Sequence, residues 1–207
     1  MSFAEENYKS WVGPAGRYDL VSAIQFNLLT MLGLRDSHFV LDVGCGSLRL
    51  GRLLIPFLKS GHYFGIEPER WAVAAGFQYE LGCDAIKLKS PKFSDVADFE
   101  LGVFKRKFDF IMAQSIFSHA SREQVERCIN QAAGAMHDSS VFIFNYSIGP
   151  KNHDGGWIYP GCVRYTRAWM RHVTENAGLV YDEIQLNNSP AWQIWVVAGR
   201  QYGGDDG

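Results

Sequence analysis

The 207-residue sequence has no long apolar segment and no excess of charge of either sign. No stretch approaches the 18 or so apolar residues of a membrane-spanning helix, and the N-terminal residues include acids where a signal peptide is apolar. Twenty basic residues against 22 acidic ones leave a net charge of -2, which argues against a broad basic surface for nucleic acid. We therefore expect a soluble, cytoplasmic protein that binds neither membranes nor DNA.

The sequence also has few cysteines, and their spacing is not that of a metal site. There is no C-x-x-C pair, and each cysteine lies in an apolar or loop context, at Cys45, Cys83, Cys128 and Cys162. We expect these cysteines to be reduced. Internal repeats, low-complexity segments and an evident linker are absent too, so a single domain is expected.

Apolar runs typical of buried strands alternate with helical patterns along the chain. The branched run from residue 38 to 43 indicates a strand covered on both faces, as parallel sheets require. Residues 84–89 and 91–94 are alternatives for the third strand, and the second is favoured. The alternation predicts a three-layer α/β domain with a mainly parallel sheet. The predicted strands are 38–43, 62–68, 91–94, 107–115, 140–147 and a closing pair, and the predicted helices are 18–34, 47–58, 68–82, 121–136 and 166–179.

The stretch "VLDVGCGSLRLG" (40–51) ends a strand in an acid and two glycines, one residue apart. A dinucleotide fingerprint would have a third glycine where Arg49 stands. Glycine permits positive φ and has no Cβ atom, so the backbone here can approach a ligand closely. Glu67 ends the next strand, 21 residues after Gly46. Its carboxylate has two acceptor oxygens, which suit the two hydroxyls of a ribose.

Together, "LDVGCG" and "YFGIEPE" resemble the first two motifs of the class I S-adenosylmethionine-dependent methyltransferases, and the resemblance covers about residues 38 to 200. It implies a Rossmann-like sandwich with a seven-stranded, mostly parallel sheet, in which an antiparallel seventh strand lies between the fifth and sixth. It also implies S-adenosylmethionine as cofactor and S-adenosylhomocysteine as product. The cofactor-binding residues implied in these motifs are Asp42, Gly44, Cys45 and Gly46 near the methionine part, Glu67 at the ribose and Pro68 against the adenine.

Two later segments resemble further motifs of the same family. In "ADFELG" (97–102), Asp98 would accept from the adenine amino group and Phe99 would flank the ring, with Asp95 as the alternative acid. In "FDFIMAQSIFSHAS" (108–121), the strand end passes the transferred methyl group, where Gln114 and Ser115 would lie. A metal-dependent methyltransferase of the catechol type has an aspartate where Gln114 stands, so no metal is expected despite the neighbouring pair His153 and Asp154.

The resemblance leaves the substrate residues open. His119 lies where a general base for a hydroxyl acceptor would be, or it is a loop histidine that packs beside Phe117. The aromatic loop 148–165 could supply a substrate wall through Trp157 and Tyr159, or form a small satellite core. Tyr8 belongs to an N-terminal arm that would act as a lid and contact substrate, or would simply pack.

The expected division is a helical arm or lid, a cofactor-binding core, a substrate-side loop, a C-terminal helix with two strands, and a disordered tail; the bounds are 1–36, 37–147, 148–165, 166–200 and 201–207. The asparagine-proline-proline-aromatic signature of enzymes that methylate nucleic-acid amino groups is absent, and there is no appended recognition domain. A small-molecule acceptor is therefore expected, with RNA and protein left open. The alternatives are an accessory protein with the same fold and an NAD-dependent oxidoreductase, although no Tyr-x-x-x-Lys pair supports the latter.

Overall fold

Seven strands form a mixed sheet flanked by helices, as the alternating sequence pattern predicts. The structure is a computed structural model that describes residues 3–186 and 192–200, with side chains from residue 7 onward. The chain divides into two units, Met1–Ala97 and Asp98–Gly207. The predicted disordered tail, 201–207, lies outside the described residues.

The first unit contains three parallel strands in the order β3-β2-β1. Every residue of the first two strands is buried, which explains their uninterrupted apolar sequences. The third strand is the segment favoured from the sequence, and the alternative segment, 84–89, is helical. The elements are β1 (Val40–Val43), β2 (Tyr63–Ile66), β3 (Lys92–Ser94), α1 (Phe3–Trp11), α2 (Tyr18–Met31), α3 (Gly51–Phe57), α4 (Arg70–Gly76), continued by a π-helical turn (Phe77–Leu81), and α5 (Asp84–Lys89).

Two details of the predicted helices were wrong. Helix α3 begins at Gly51 and not at Ser47, because Leu48 adopts a positive φ of 60° that interrupts any helix through it. The proline near the helix end, Pro56, does precede its termination at Phe57. In α2 the apolar residues at helical spacing, Leu20, Ile24, Leu28, Met31 and Leu32, predict the buried face only in part. Leu28 is buried, but Leu20 and Met31 are 44% and 82% exposed, and the polar residues Ser22 and Gln25 are buried instead.

The second unit contains four strands in the order β4-β5-β7-β6. Strands β4 and β5 are parallel, whereas β7 runs antiparallel to both β5 and β6. This confirms the antiparallel strand expected between the fifth and the sixth. Helix α6 starts with a capping box of Ser121 and Gln124, residues whose spacing in the sequence is typical of such a box. The elements are β4 (Phe108–Ala113), α6 (Arg122–Gly134), β5 (Met136–Ser147), α7 (Arg167–Asn176), β6 (Leu179–Ile184) and β7 (Gln193–Arg200).

Within residues 3–186 and 192–200, no helix is both long and apolar enough to cross a membrane.

Helix α4 packs closely on the loop that follows β1. A Cβ atom on Gly76 would lie 2.6 Å from the backbone oxygen of Ser47 and 2.8 Å from Leu48 Cγ. Since the nearest atom belongs to the backbone, it cannot turn aside as a flexible side chain would. The contact therefore requires glycine at this position and holds the loop against the helix.

We predict that Gly76→Ala lowers the free energy of unfolding by about 1 to 3 kcal/mol, the usual range for overpacking a tight contact. Gly134→Ala is the matched control, because a Cβ atom there meets nothing within 4 Å. In a helix, this control should be neutral or more stable by up to about 1 kcal/mol. Urea denaturation of both variants measures the difference, and equal stabilities would contradict the close contact.

Candidate functional site

The loop after β1 is a tight turn built around two glycines. Gly44 and Gly46 have positive φ values of 67° and 54°, a conformation that favours glycine. The amides of Gly44 and Cys45 both donate to the carbonyl of Ile66, at 2.8 and 3.0 Å. The turn is therefore attached to the end of β2, where the predicted acid follows.

Glu67 is bonded directly to this turn. The Gly46 amide donates to Glu67 Oε2 at 2.9 Å, and the Glu69 amide donates to Oε1 at 3.0 Å. Glu67 is only 8% exposed, and burial raises the pKa of its carboxyl group, although both amide bonds favour the ionised form. Each carboxylate oxygen has two lone pairs, so each can accept one further hydrogen bond.

Asp42, the acid in β1, is buried beneath the same turn. It accepts a hydrogen bond from the Tyr63 hydroxyl at 2.9 Å. Burial raises the pKa of Asp42 to about 7, against the opposing effects of this bond and of the Arg49 charge. Burial likewise raises the pKa of the Cys45 thiol well above its usual value, so Cys45 is neutral and unreactive at pH 7.

Arg49, which stands in place of a third glycine, has a structural role. Its guanidinium group donates to the carbonyl of Val12, and its own carbonyl accepts from Ser22 Oγ at 2.5 Å. Burial lowers the pKa of Arg49 to about 10, so it remains a cation at neutral pH. The close contact between helix and strand occurs instead at Gly51, at the start of α3, where a Cβ atom would lie 2.8 Å from the hydroxyl of Tyr63 in β2.

Residues 8–13 of the N-terminal arm contact the turn. Ser47 Oγ donates to the Tyr8 carbonyl at 2.6 Å, and a Cβ atom on Gly46 would lie 2.2 Å from Val12 Cγ1. The Tyr8 hydroxyl donates to Glu80 at 2.8 Å, and the Tyr8 ring stacks on Tyr79. The arm therefore packs against the turn, and the Tyr8 side chain is engaged with Glu80, so whether the arm acts as a lid stays a prediction. Its role toward substrate remains a prediction.

The residues assigned to adenine are more exposed. Pro68 directly follows Glu67 on the surface. Asp95 and Asp98, the two alternative acids, are each paired with an arginine, Arg70 and Arg127 respectively. Phe99, half-buried, has a positive φ of 60°. Neither acid is distinguished from the other by these contacts, so both adenine assignments stay predictions.

In the second unit, the turn at the end of β4 is held by a residue that sequence reasoning missed. The Ser115 amide donates to Asn145 Oδ1 at 2.7 Å, and Gln114 Nε2 donates to Ser115 Oγ at 2.9 Å. Asn145 lies in β5 and is completely buried. A polar residue inside the apolar run "VFIFNYS" was the signal that could have identified it.

His119 holds the loop 157–161 against the segment that follows β4. Its Nδ1 lies 3.0 Å from the Ile158 carbonyl and 2.7 Å from that of Gly161, and the Ile158 amide donates to the His119 carbonyl. Because two acceptors face Nδ1, the neutral ring carries its proton there and Nε2 has the free lone pair. The rings of Trp157 and Tyr159 lie 5.8 and 5.2 Å from that of His119, and these two side chains are 46% and 40% exposed.

His153 and Asp154, the neighbouring pair in the aromatic loop, each contact another group of the protein. His153 lies 3.0 Å from the Gly156 carbonyl through Nε2, and Asp154 faces Arg122. Over the described ranges, no three His, Cys, Asp or Glu side chains form a cluster that could hold a metal ion. The expectation that the protein uses no metal stays a prediction.

Solved structures with the same architecture include methyltransferases, among them S-adenosylmethionine-dependent ones. One from Clostridium acetobutylicum has a TM-score of 0.67 at 12% identity, over 88% of this chain and 92% of that one. Magnesium protoporphyrin IX methyltransferase from Synechocystis, with bound SAM, has 0.69 at 16%, over 96% and 92%. The CcbJ methyltransferase from Streptomyces caelestis has 0.68 at 14%, over 94% and 95%. No protein-family model matches the sequence. These likenesses confirm the predicted fold.

We predict that Asp42→Asn changes how stability depends on pH. The folded protein keeps the Asp42 proton up to about pH 7, whereas the unfolded chain loses it near pH 4, so stability falls as the pH rises between these values. Asparagine can still accept from Tyr63 and cannot ionise. Each tenfold change in proton affinity is worth about 1.4 kcal/mol, so the variant should gain several kcal/mol relative to the parent by pH 8.

Urea denaturation at pH 5 and pH 8 measures this change. A difference between parent and variant that is the same at both pH values would show that Asp42 ionises as readily in the folded protein as in the unfolded chain.

Proposed function

We propose that the protein is an S-adenosylmethionine-dependent methyltransferase that acts on a small-molecule acceptor. The observation that carries this proposal is the 2.9 Å hydrogen bond from the Gly46 amide to the Glu67 carboxylate. It joins the glycine turn to the acid that ends the next strand, the pair that the resemblance assigns to the two halves of one cofactor.

The chemistry of this turn fits such a cofactor. Gly44 presents backbone without a Cβ atom, which allows close approach of an amino acid moiety, whereas Val12 of the arm takes the corresponding space at Gly46. Glu67 is held by two backbone amides and keeps a free acceptor direction on each oxygen, as the two hydroxyls of a ribose require. Asp42 lies beneath the turn and can offset the positive charge of a sulfonium or ammonium group by ionising.

The demands on the chain during transfer are mainly geometric. The bound cofactor supplies an electrophilic methyl group, so the protein must orient the acceptor and exclude water. His119 suits the removal of a proton from a hydroxyl acceptor, because Nδ1 is occupied by two carbonyls and Nε2 is left as the base. The exposed rings of Trp157 and Tyr159 beside it offer an apolar surface for a small substrate.

Calorimetric titration tests the proposal directly. S-adenosylmethionine and S-adenosylhomocysteine should bind, and NADH should not; the reverse pattern would favour an NAD-dependent oxidoreductase. A screen of small acceptors with radiolabelled methyl donor then separates an enzyme from an accessory protein with the same fold, since only the enzyme transfers label.

We predict that Glu67→Ala weakens binding of S-adenosylhomocysteine by about 1.5 to 3 kcal/mol, the range for hydrogen bonds to a charged group. Glu69→Ala is the matched control, because the Glu69 backbone amide that donates to Glu67 remains in this variant. Titration calorimetry at one temperature compares the two variants with the parent. If both variants bind alike, Glu67 does not contact the ribose.

We predict that His119→Asn lowers the transfer rate to a hydroxyl acceptor about 10²- to 10⁴-fold, as loss of a general base does. The asparagine amide can still donate to the carbonyls that Nδ1 contacts, so the loop 157–161 keeps its attachment while Nε2 is lost. His153→Asn, in the same loop region, controls for a surface histidine. The measurement is the rate across pH with an acceptor found in the screen.

An unchanged rate at every pH would remove His119 from the mechanism. It would leave the histidine with the structural role of holding the loop.

A further inference from the structure

Asn145 lies within β5, and its side chain is hydrogen-bonded to the turn that follows β4. The residue before it, Phe144, pairs with Ala113, the last residue of β4. The Asn145 side chain is completely buried, and its Oδ1 accepts from the Ser115 amide at 2.7 Å. Since a backbone N–H must face an acceptor, this bond also identifies the oxygen of the Asn145 amide group, and leaves Nδ2 on the other side.

Ser115 needs this support because its backbone conformation is unfavourable. Its φ of 61° lies in the left-handed region, which costs a residue with a Cβ atom roughly 1 to 2 kcal/mol. Besides the bond to Asn145, Gln114 Nε2 donates to Ser115 Oγ and Ser118 Oγ donates to the Ser115 carbonyl, at 2.9 and 3.2 Å. The amide, hydroxyl and carbonyl groups of Ser115 are thus all hydrogen-bonded, just after β4 ends.

Asparagine at position 145 brings a cost to fold stability as well as a benefit. Within the described part of the chain, Asn145 Nδ2 is buried and has no hydrogen-bond partner. A buried donor without an acceptor costs roughly 1 to 3 kcal/mol, and an apolar side chain of similar size would avoid that cost. The feature that an apolar side chain cannot supply is the acceptor for the Ser115 amide.

We propose that Asn145 is a positioning residue for the cofactor: through Oδ1 it holds the turn of Gln114 and Ser115 in the left-handed conformation that the bound cofactor requires. Strained backbone of this kind persists where the surroundings hold it, and it concentrates at ligand sites. The inference rests on the proposed function, because it takes the contact of this turn with S-adenosylmethionine from that proposal.

The first test needs no ligand. In Asn145→Leu the Ser115 amide loses its acceptor, so its hydrogen exchange, followed by NMR, should become at least about tenfold faster than in the parent. Asn145→Ser, whose hydroxyl is too short to reach the amide, is measured beside it in case leucine does not fold. The control is Ser147→Ala, on the same strand, since Ser147 Oγ is buried without a hydrogen-bond partner in the described chain. This control should leave Ser115 exchange unchanged.

The second test is a double-mutant cycle on binding of S-adenosylhomocysteine, at a temperature where circular dichroism shows every variant folded. Asn145→Leu should weaken binding about tenfold, an effect the size of one hydrogen bond. Glycine adopts the left-handed conformation without support, so in the Ser115→Gly background the same Asn145 substitution should change affinity less than about twofold. A purely structural role would lower thermal stability equally in both backgrounds without this difference in affinity.

Three results separate the two proposals. Faster exchange with unchanged affinity in Asn145→Leu overturns the positioning role and leaves the proposed function intact. An equal loss of affinity in both backgrounds also overturns it. If the parent itself binds neither S-adenosylmethionine nor S-adenosylhomocysteine, the proposed function is wrong and this inference falls with it.

Discussion

The hydrogen bond from the Gly46 amide to the Glu67 carboxylate joins the ends of β1 and β2. Strand pairing alone brings these ends together, since Val43 lies opposite Ile66 in the parallel register. The Ile66 carbonyl accepts hydrogen bonds from the amides of Gly44 and Cys45, and the Glu67 carboxylate accepts one from the amide of Gly46. The turn is therefore shaped by hydrogen bonds to its neighbouring strand, and such bonds preorganise a binding site.

The arm places a second demand on the same glycine. Gly46 must lack a Cβ atom for a ligand to approach, but in this structure Val12 already occupies the space that the Cβ atom would take. The Arg49 guanidinium, by donating to the Val12 carbonyl, holds the arm there. Arg49, which replaces the third glycine of the dinucleotide fingerprint, therefore holds the arm in place. Glycine at position 46, which indicated a ligand loop in the sequence, also makes room for Val12 of the arm.

The fold could be predicted from the sequence because buried parallel strands produce continuous apolar runs and capping residues mark helix starts. The start of α3 could not, because Ser47 looks like a cap while its hydroxyl donates to the distant Tyr8 carbonyl. Within the site, the motifs predicted that Gly46 and Glu67 reach the same ligand, whereas the hydrogen bond between them was not predicted. The link between Ser115 and Asn145 spans 30 residues and depends on strand register, which no local pattern contains.

The electrostatics of the turn favour a ligand that carries positive charge. Asp42 and Glu67 are both buried, each has a raised pKa, and the charge of Glu67 adds to the elevation at Asp42. Arg49 offsets part of this negative charge, but its guanidinium group is directed to the Val12 carbonyl. A cation placed near these acids would favour the ionised form of Asp42 and so bind more tightly as the pH rises.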